Sequence, residues 1–317
     1  MNTIDVRVTA RNCEADGICS YELVRTDGQP LPPFEAGAHI DVHLDEQLVR
    51  QYSLCNAPHE THRYLIGVLR DAASRGGSQA MHERVQEGTV LQISEPKNHF
   101  PLVDAPRSML LAGGIGVTPI LAMAEALAAK GAAFEMHYCA RSPSLAAFRE
   151  RIAASGFAGR VHFHFDDDAA SRLDTPALLA RPQDGTHLYV CGPVGFIEHI
   201  LSTARAAGWP EAQLHVEYFA GAVIDTTGDQ AFEVKLASSG KVVTVPAGRT
   251  VIQVLAEVGV EIAYSCEEGV CGTCLTRVID GEPDHRDMYL TDEEHAANDQ
   301  FTPCCSRAKS RMLVLDL

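Results

Sequence analysis

Cys266-Glu267-Glu268-Gly269-Val270-Cys271-Gly272-Thr273-Cys274 is the stretch on which the reading of this chain turns, and Cys304 follows it after a gap of 29 residues. Three cysteines spaced C-x4-C-x2-C with a distant fourth have the spacing of plant-type 2Fe-2S ligands, unlike the paired C-x2-C of a zinc ribbon. Gly269 and Gly272 let the backbone turn closely round a cluster and offer N–H groups to its sulfurs, which stabilises added negative charge. A four-thiolate zinc site is the competing use of the same donors. Cys305 adjoins Cys304 and leaves the fourth ligand open between them, with the spacing favouring Cys304. With every iron position filled by thiolate and sulfide, such a centre takes single electrons and does no bond chemistry. Something else in the chain must feed it.

Around this loop, Ala231 to Leu317 reads as a small sheet with one helix. Phe232-Glu233-Val234-Lys235-Leu236 and Lys241 to Val245 alternate as strands, Thr250 to Val258 forms the helix, and Met312 to Asp316 is the last strand. Ala220 to Gln230 is small and polar and reads as a linker. Asp280, Glu282, Asp284, Asp287, Asp292, Glu293, Glu294 and Asp299 make an acidic stretch in which Arg286 is the only Arg or Lys. Such runs are usually solvated faces, but beside a one-electron site this one is suited to steer docking onto a basic partner.

Upstream, from Arg107 to Phe219, apolar runs alternate with helical stretches. That rhythm implies a parallel sheet covered by helices on both faces, with ligands at the carboxyl ends of its strands. Leu110-Leu111-Ala112 runs into Gly113-Gly114-Ile115-Gly116-Val117-Thr118-Pro119, where a phosphate fits the first N–H groups of the following helix. Thr118 is the expected N-cap and Pro119 the first helical residue. Pro119 replaces the third glycine of G-x-G-x-x-G, so the turn is weak evidence alone. Cys191-Gly192-Pro193 places a second small turn on the same sheet edge. Asp166-Asp167-Asp168 is placed to repel a 2′-phosphate and favours NADH, whereas Arg141-Ser142 suits NADPH.

The first ninety or so residues carry short alternating runs such as Ile4 to Val8, Ile40 to Leu44 and Arg63 to Val68, as antiparallel strands of a small barrel do. Arg50-Gln51-Tyr52-Ser53-Leu54 lies among them, and Arg75-Gly76-Gly77-Ser78 opens a helix further on. Arginine and a glycine-rich helix start make a phosphate site, Tyr52 packs a planar ring and Ser53 bonds its polar edge.

Composition agrees with three soluble modules. The 317 residues exceed one compact core, and 46% hydrophobic with 21% charged residues is ordinary for globular proteins. Twenty-six Lys+Arg against 42 Asp+Glu, a formal charge of −16, disfavour nucleic acid and anionic membranes as partners. Met1 to Asn12 does not read as a signal peptide, and Ser108 to Ala124 is broken by glycines and Pro119, unlike a membrane span. Ten cysteines then point to metal or redox chemistry in a cytoplasmic protein.

Arg50-x-Tyr52-Ser53-Leu54-Cys55-Asn56, Gly76-Gly77-Ser78, Gly113-Gly114-Ile115-Gly116, Cys191-Gly192-Pro193, Glu217-x-Phe219 and the cysteine loop occur in this order. Over nearly its full length the chain resembles the FMN-dependent reductase components of Rieske-type oxygenases, the phthalate dioxygenase and vanillate O-demethylase reductase group of the ferredoxin–NADP reductase superfamily. The resemblance implies an antiparallel β-barrel flavin domain over residues 1–104, an α/β parallel-sheet nucleotide domain over 105–226 and a β-grasp plant-type ferredoxin domain over 229–317. It implies FMN, NADH and a 2Fe-2S cluster as cofactors, with FAD and NADPH left open by the residues themselves. Arg50, Gly76, Gly77, Ser78 and Gln79 are then expected about the FMN phosphate, and Gln51, Tyr52, Ser53, Val68, Leu69 and Arg70 about the flavin ring. Gly113, Gly114, Gly116, Gly192 and Pro193 are expected to hold NADH, with Thr118 and Cys191 near the nicotinamide and Phe219 closing over the rings. Ser53, Thr118 and Cys191 are the expected catalytic residues; Cys266, Cys271, Cys274 and Cys304 are the expected metal ligands.

A flavin takes two electrons and releases them singly, which explains why three carriers occur in one chain. The implied partner is the terminal Rieske oxygenase of an aromatic oxygenase or O-demethylase system, served by a monomer that docks and leaves. A non-aromatic, carnitine-type monooxygenase is the alternative acceptor, and a zinc-stabilised nucleotide-binding module without turnover is the rival of a different class. Among fourteen histidines, His99 is the one expected near the flavin.

Overall fold

The computed structural model describes residues 3–45, 48–71, 76–182, 184–219, 221, 226–264 and 266–317. The chain divides into two compact units, Met1–Phe219 and Ala220–Leu317.

In the first unit, β1 (Thr3–Ala15), β2 (Ile18–Arg25), β3 (His39–His43), β4 (Val49–Ser53), β5 (Tyr64–Leu69), α1 (Gly77–Arg84) and β6 (Val90–Ser94) come first. The strands form an antiparallel sheet in the order β4-β3-β6-β1-β2-β5. A bridge between Leu54 and Ile66 joins its two edges and closes the barrel. Alternation explains the inside: Val6, Val8, Tyr21, Leu23, Ile40, Val42, Ile66 and Ile93 point inward and share one core. Each such aliphatic side chain contributes about 1.5–3 kcal/mol by leaving water. Tyr21 reaches through this core and donates its hydroxyl to Met81 O at 2.9 Å, fixing α1 across the barrel mouth.

Next come β7 (Arg107–Gly113), α2 (Val117–Ala129), β8 (Ala133–Ala140), α3 (Arg149–Ala154), β9 (Val161–Phe165), α4 (Thr175–Leu179), β10 (Thr186–Gly192), α5 (Val194–Ala206) and β11 (Leu214–Tyr218). The sheet is parallel, in the order β11-β10-β7-β8-β9. Ser108 to Gly113 are all buried, as a strand covered on both faces must be. On one face α2 packs with Ile120, Leu121 and Met123. That core continues into the barrel through Ile18, Ala36, Cys55, Leu65 and Phe100. On the other face α5 packs Ile197, Ile200 and Leu201 with Trp209.

The second unit holds β12 (Phe232–Leu236), β13 (Val242–Val245), α6 (Val251–Glu257), β14 (Thr276–Asp280), β15 (Pro283–Asp284), α7 (Asp292–Ala297), β16 (Gln300–Phe301), β17 (Arg307–Ala308) and β18 (Met312–Leu315). One mixed sheet runs β13-β12-β18-β14-β16, with β12 and β18 parallel at its centre. Helix α6 buries Val251, Val254 and Leu255 against it, which is the β-grasp arrangement.

Three expectations are corrected. The linker reading fails at its end, because Asp229 is buried between Arg286 at 2.7 Å and Arg307 at 3.4 Å. The ferredoxin module carries a second helix, α7, opened by a capping box between Thr291 and Glu294 that lies inside the acidic stretch. The acidic stretch is also not uniformly solvated. Asp287 is buried, Asp284 pairs with Arg286 at 2.8 Å, and Glu282 pairs with Lys309 at 3.4 Å. Asp280, Asp292, Glu293, Glu294 and Asp299 are exposed, as is Glu282 while paired with Lys309.

Candidate functional site

Helix α1 starts at Gly77 after Gly76, whose φ of 91° only glycine adopts cheaply. A Cβ on Gly77 would stand 2.4 Å from Arg50 Cγ and 2.7 Å from its Nε, so the arginine side chain lies across the first turn of the helix. The N–H groups of the first helical turn and a guanidinium are thereby brought to one place, the donor set an anion needs. Ser78 stands in that turn with its oxygen accepting from Asp71 N at 3.1 Å. Arg75 lies outside the described residues. Gln79 bonds Glu83 at 3.1 Å and Arg70 pairs with the same carboxylate at 2.7 Å, both directed along the helix.

On β4, Gln51 donates to Asp41 Oδ1 at 3.0 Å. Tyr52 is half-buried and pairs with Ile40, and Ser53 pairs with His39. His39 is buried with its ring 5.4 Å from that of exposed His99, so His99 joins this rung through a neighbour. Of the Val68 to Arg70 run expected about the flavin ring, the pleat sends the Val68 side chain into the barrel core and turns Leu69 outward.

At the carboxyl edge of the parallel sheet the two small turns meet backbone to backbone. A Cβ on Gly116 would lie 2.3 Å from Cys191 O and 2.6 Å from Gly192 N, and one on Gly192 would lie 3.0 Å from Gly113 Cα. Strand β7 stands between β10 and β8, so the chain leaves the sheet in opposite directions on either side of these turns. That is a topological switch point, where open α/β sheets bind ligands. Gly114 has φ 54° and faces open space. Thr118 is not the N-cap: a short 3₁₀ turn over Gly114–Gly116 precedes α2, and the buried Thr118 donates its hydroxyl to Ile115 O at 3.1 Å. Pro119 is third in the helix rather than first. Pro193 caps α5. Arg141 and Asp167 share a backbone bond, Asp167 N donating at 3.1 Å, so the two cofactor-discriminating features sit side by side beyond β8 and β9.

Barrel and sheet meet at this edge. Ser53 Oγ donates to Glu217 Oε2 at 3.3 Å, and strand pairing sets Glu217 opposite Cys191. Enclosure pushes the Glu217 carboxyl up to about 8 against the opposing pull of the Ser53 hydrogen bond. Burial, reinforced by Glu217, pushes the Cys191 thiol well above its ordinary value, so it is a neutral packing group and not a thiolate. Gly67 on β5 is required here as well, since a Cβ would meet Thr118 Cγ2 at 2.9 Å and Phe148 Cζ at 3.0 Å. Phe219 follows β11 with 38% of its surface exposed. Glu217 was not among the expected site residues; its place in the Glu217-x-Phe219 motif was the available signal.

In the second unit, the thiols of Cys266, Cys271, Cys274 and Cys304 converge. Hydrogen bonding from Cys271 and Cys304, and from the Glu268 and Val270 N–H groups, holds the Cys266 thiol far below its ordinary value. Cys304 in turn contacts Cys266, Cys274 and Cys305. The Cys305 sulfur sits 3.3 Å from Thr302 Oγ1 and 3.8 Å from Ser306 Oγ. Gly269 and Gly272 both have positive φ, and a Cβ on Gly272 would strike the Tyr289 ring at 2.2 Å. A chain of paired thiols, Cys271 to Cys266, Cys266 to Cys304 and Cys304 to Cys274, with backbone donors aimed at sulfur and a loop pressed against its surroundings, fits a thiolate-held cluster. The Arg50–Gly77 cradle fits a flavin phosphate.

A barrel with an anion cradle, a parallel sheet with a dinucleotide switch point and a β-grasp module with four converged thiols define a modular reductase that carries electrons from a pyridine nucleotide to an iron–sulfur centre. The 2Fe-2S iron–sulfur cluster binding domain family matches residues 234–309, which sets the zinc reading aside. Residues 99–214 match the N-terminal domain of dimethylamine monooxygenase subunit DmmA-like proteins. A vanillate O-demethylase oxidoreductase of Pseudomonas putida is 58% identical over 316 residues, covering 99% of this chain and 100% of its own. A tert-butanol monooxygenase / tert-amyl alcohol desaturase reductase subunit of Aquincola tertiaricarbonis is 46% identical over 99% of this chain and 96% of its own. The solved structure of phthalate dioxygenase reductase superposes with a TM-score of 0.78 at 37% identity, covering 100% of this chain and 98% of that one. The chain belongs to the family of oxygenase reductases that includes the vanillate O-demethylase oxidoreductases.

Proposed function

We propose that this protein oxidises NADH and passes the electrons through FMN and a 2Fe-2S cluster to the terminal Rieske oxygenase of an aromatic oxygenase or O-demethylase system. The observation that carries this reading is the seam at which Ser53 of the barrel meets Glu217 and Cys191 at the switch point of the parallel sheet. When bound, the flavin supplies the conversion of a two-electron hydride into single electrons.

Arg50, Gly76, Gly77 and Ser78 hold the flavin phosphate, and Tyr52, Ser53 and Leu69 border its ring. Gly113, Gly114, Gly116, Gly192 and Pro193 receive the dinucleotide, whose nicotinamide lies beside Thr118 and Cys191, with Phe219 covering the rings. Neutral Cys191 and protonated Glu217 keep this seam free of charge, so a hydride is not met by a fixed anion; Ser53 fixes the Glu217 carboxyl by donating to its Oε2. Cys266, Cys271, Cys274 and Cys304 hold the cluster. The modules are assigned to residues 1–104, 105–226 and 229–317.

The exposed acids of the ferredoxin module support docking to a basic oxygenase surface, and the uncombined cysteines suit a cytoplasmic monomer. No helix among the described residues is long and apolar enough to cross a membrane. The relative named for tert-butanol supports a second acceptor, a monooxygenase acting on non-aromatic substrates.

Anaerobic addition of NADH to the purified protein is the test. Bleaching of flavin absorbance followed by cluster absorbance, with FMN and not FAD released on denaturation, is the expected result. A colourless protein, or one reduced only by NADPH, overturns the assignment. Turnover with aromatic and alcohol monooxygenase components separates the two acceptors.

A further inference from the structure

Away from the cluster ligands, the ferredoxin module gathers two histidines and one buried carboxylate. His285 and Asp287 follow β15, and His295 lies on α7. Asp287 Oδ2 is 3.2 Å from His295 Nε2, Asp287 Oδ1 is 3.8 Å from His285 Nδ1, and one ligand atom from each of the three lies within 4.8 Å of the other two. The side chains of His285 and Asp287 are 7% and 0% exposed, and that of His295 is 26% exposed.

The hydrogen bonds leave one position unresolved. Asn298 Nδ2 donates to Ala296 O at 3.3 Å, which turns its Oδ1 toward His285 Nε2, also at 3.3 Å. His285 therefore donates from Nε2, and its Nδ1 keeps a lone pair. That Nδ1 is buried without a hydrogen-bond partner, with Asp287 Oδ1 3.8 Å away and the His295 ring stacked on that of His285 at a centroid distance of 4.4 Å. Asp287 accepts from Tyr289 N at 3.2 Å and Leu290 N at 2.9 Å through Oδ2, while Oδ1 has only a long bond of 3.4 Å from Ser306 Oγ. A lone pair facing a carboxylate oxygen inside the protein, with no proton between them, is a repulsive arrangement. A cation between them reverses its sign.

We propose that His285, Asp287 and His295 form a binding site for one divalent transition-metal ion of the zinc type. Two imidazoles and one carboxylate suit zinc and its borderline neighbours; magnesium and calcium require oxygen ligands throughout. Tetrahedral ligands at about 2.0–2.1 Å from zinc stand about 3.3–3.4 Å apart; here Asp287 meets His295 through Oδ2 at 3.2 Å and His285 through Oδ1 at 3.8 Å, and one ligand atom from each residue lies within 4.8 Å of the others, so an ion would draw the three together slightly. The Asn298 bond to His285 Nε2 is the outer support that metal-bound imidazoles ordinarily have. His295, the most exposed of the three, leaves an approach for the ion and a position for water. The site braces the cluster loop, because Met288 N donates to Gly269 O at 3.0 Å and a Cβ on Gly269 would lie 2.8 Å from Asp287 Cα.

The full-length protein, chelator-treated and with flavin and cluster verified by absorbance, is titrated calorimetrically with Zn²⁺, and its zinc edge is read by X-ray absorption. One saturable equivalent is expected, with nitrogen and oxygen ligands at about 2.0–2.1 Å and no sulfur at about 2.3 Å. His295→Ala, on a part-exposed helix position, and His285→Gln are each expected to weaken binding by at least about tenfold while the visible spectrum is retained. Absence of a saturable equivalent, sulfur in the zinc shell, or undiminished binding by His295→Ala overturns the proposal.

Discussion

Ser53 on β4 and Glu217 on β11, 164 positions apart in the chain, are joined by a 3.3 Å hydrogen bond from the serine hydroxyl to Glu217 Oε2. This contact joins the shared core and the Gly67–Thr118 approach in tying barrel to parallel sheet where both cofactor-binding edges end. It also controls a proton.

Burial pushes the Glu217 carboxyl up from its ordinary 4.5 to about 8. A carboxyl raised in this way stabilises the fold below 4.5 and loses that contribution as pH rises through 8. The rate of flavin reduction by NADH is expected to fall as Glu217 ionises near pH 8, and Glu217→Gln to abolish that step. Ser53→Ala removes the interaction that lowers this pKa, so it shifts the step to higher pH. Stopped-flow reduction across about pH 6–9 reads both; an unchanged profile in Glu217→Gln rejects the role.

Gly116→Ala should disrupt nucleotide binding without any conformational strain, since φ at Gly116 is −60°. Its methyl would enter the Cys191 carbonyl at 2.3 Å, forcing the two turns apart. Overpacking of this kind costs about 1–3 kcal/mol. We expect KM for NADH to rise about tenfold, the equivalent of about 1.4 kcal/mol, with flavin content unchanged.

Replacing the adjacent cysteines one at a time separates ligand from neighbour. Cys304→Ser is expected to lose the cluster, and Cys305→Ser to retain it, as read by iron content and the electron paramagnetic resonance signal of the reduced protein. The basis is that Cys304 touches Cys266 and Cys274, whereas Cys305 is held by Thr302. Loss of the cluster in both variants would reverse the assignment.

Asp229→Ala leaves Arg286 and Arg307 without their shared carboxylate. Side-chain exposures of 6% for Asp229 and 8% for Arg307 make this a largely buried pair. Removing one partner of such a pair costs about 3–5 kcal/mol, so the cluster absorbance should be lost at a distinctly lower temperature. A melting curve unchanged from the parent protein would show the contact to be dispensable.

Electron delivery to a purified oxygenase should slow as salt is added, because Asp280, Asp292, Glu293, Glu294 and Asp299 remain exposed on the ferredoxin module. Reduction of the flavin by NADH in the same buffers should change much less. Salt-independent coupling would remove the acidic face from the docking argument.

Local pattern made much of this legible. The C-x4-C-x2-C spacing of Cys266, Cys271 and Cys274 pointed to an iron–sulfur module, as the family match over residues 234–309 bears out, because one short loop must present several thiolates to a single centre. Glycine turns after Leu110-Leu111-Ala112 and before Pro193 were visible because close backbone approach excludes a Cβ. Alternation in the first segment announced strands, since the pleat has a period of two. Where a single residue's direction mattered, pattern was insufficient: Val68 and Leu69 were expected together and the pleat turned them apart. Thr118 looked like a cap because threonine often is one, yet the 3₁₀ turn before it moved the helix start.

The sequence by itself thus determined the three modules, their order and the chemistry each holds, because these depend on short-range periodicity and on residues within one loop. Only the tertiary structure decided which distant groups share a proton or an ion. Glu217 acquires its raised pKa from enclosure beside Ser53, and Asp229 its importance from two arginines reached across the sheet. His285, Asp287 and His295 become a cluster only when α7 folds back beside the segment after β15. Such properties arise from desolvation and from distances between residues far apart in the chain, and neither quantity is written in local composition.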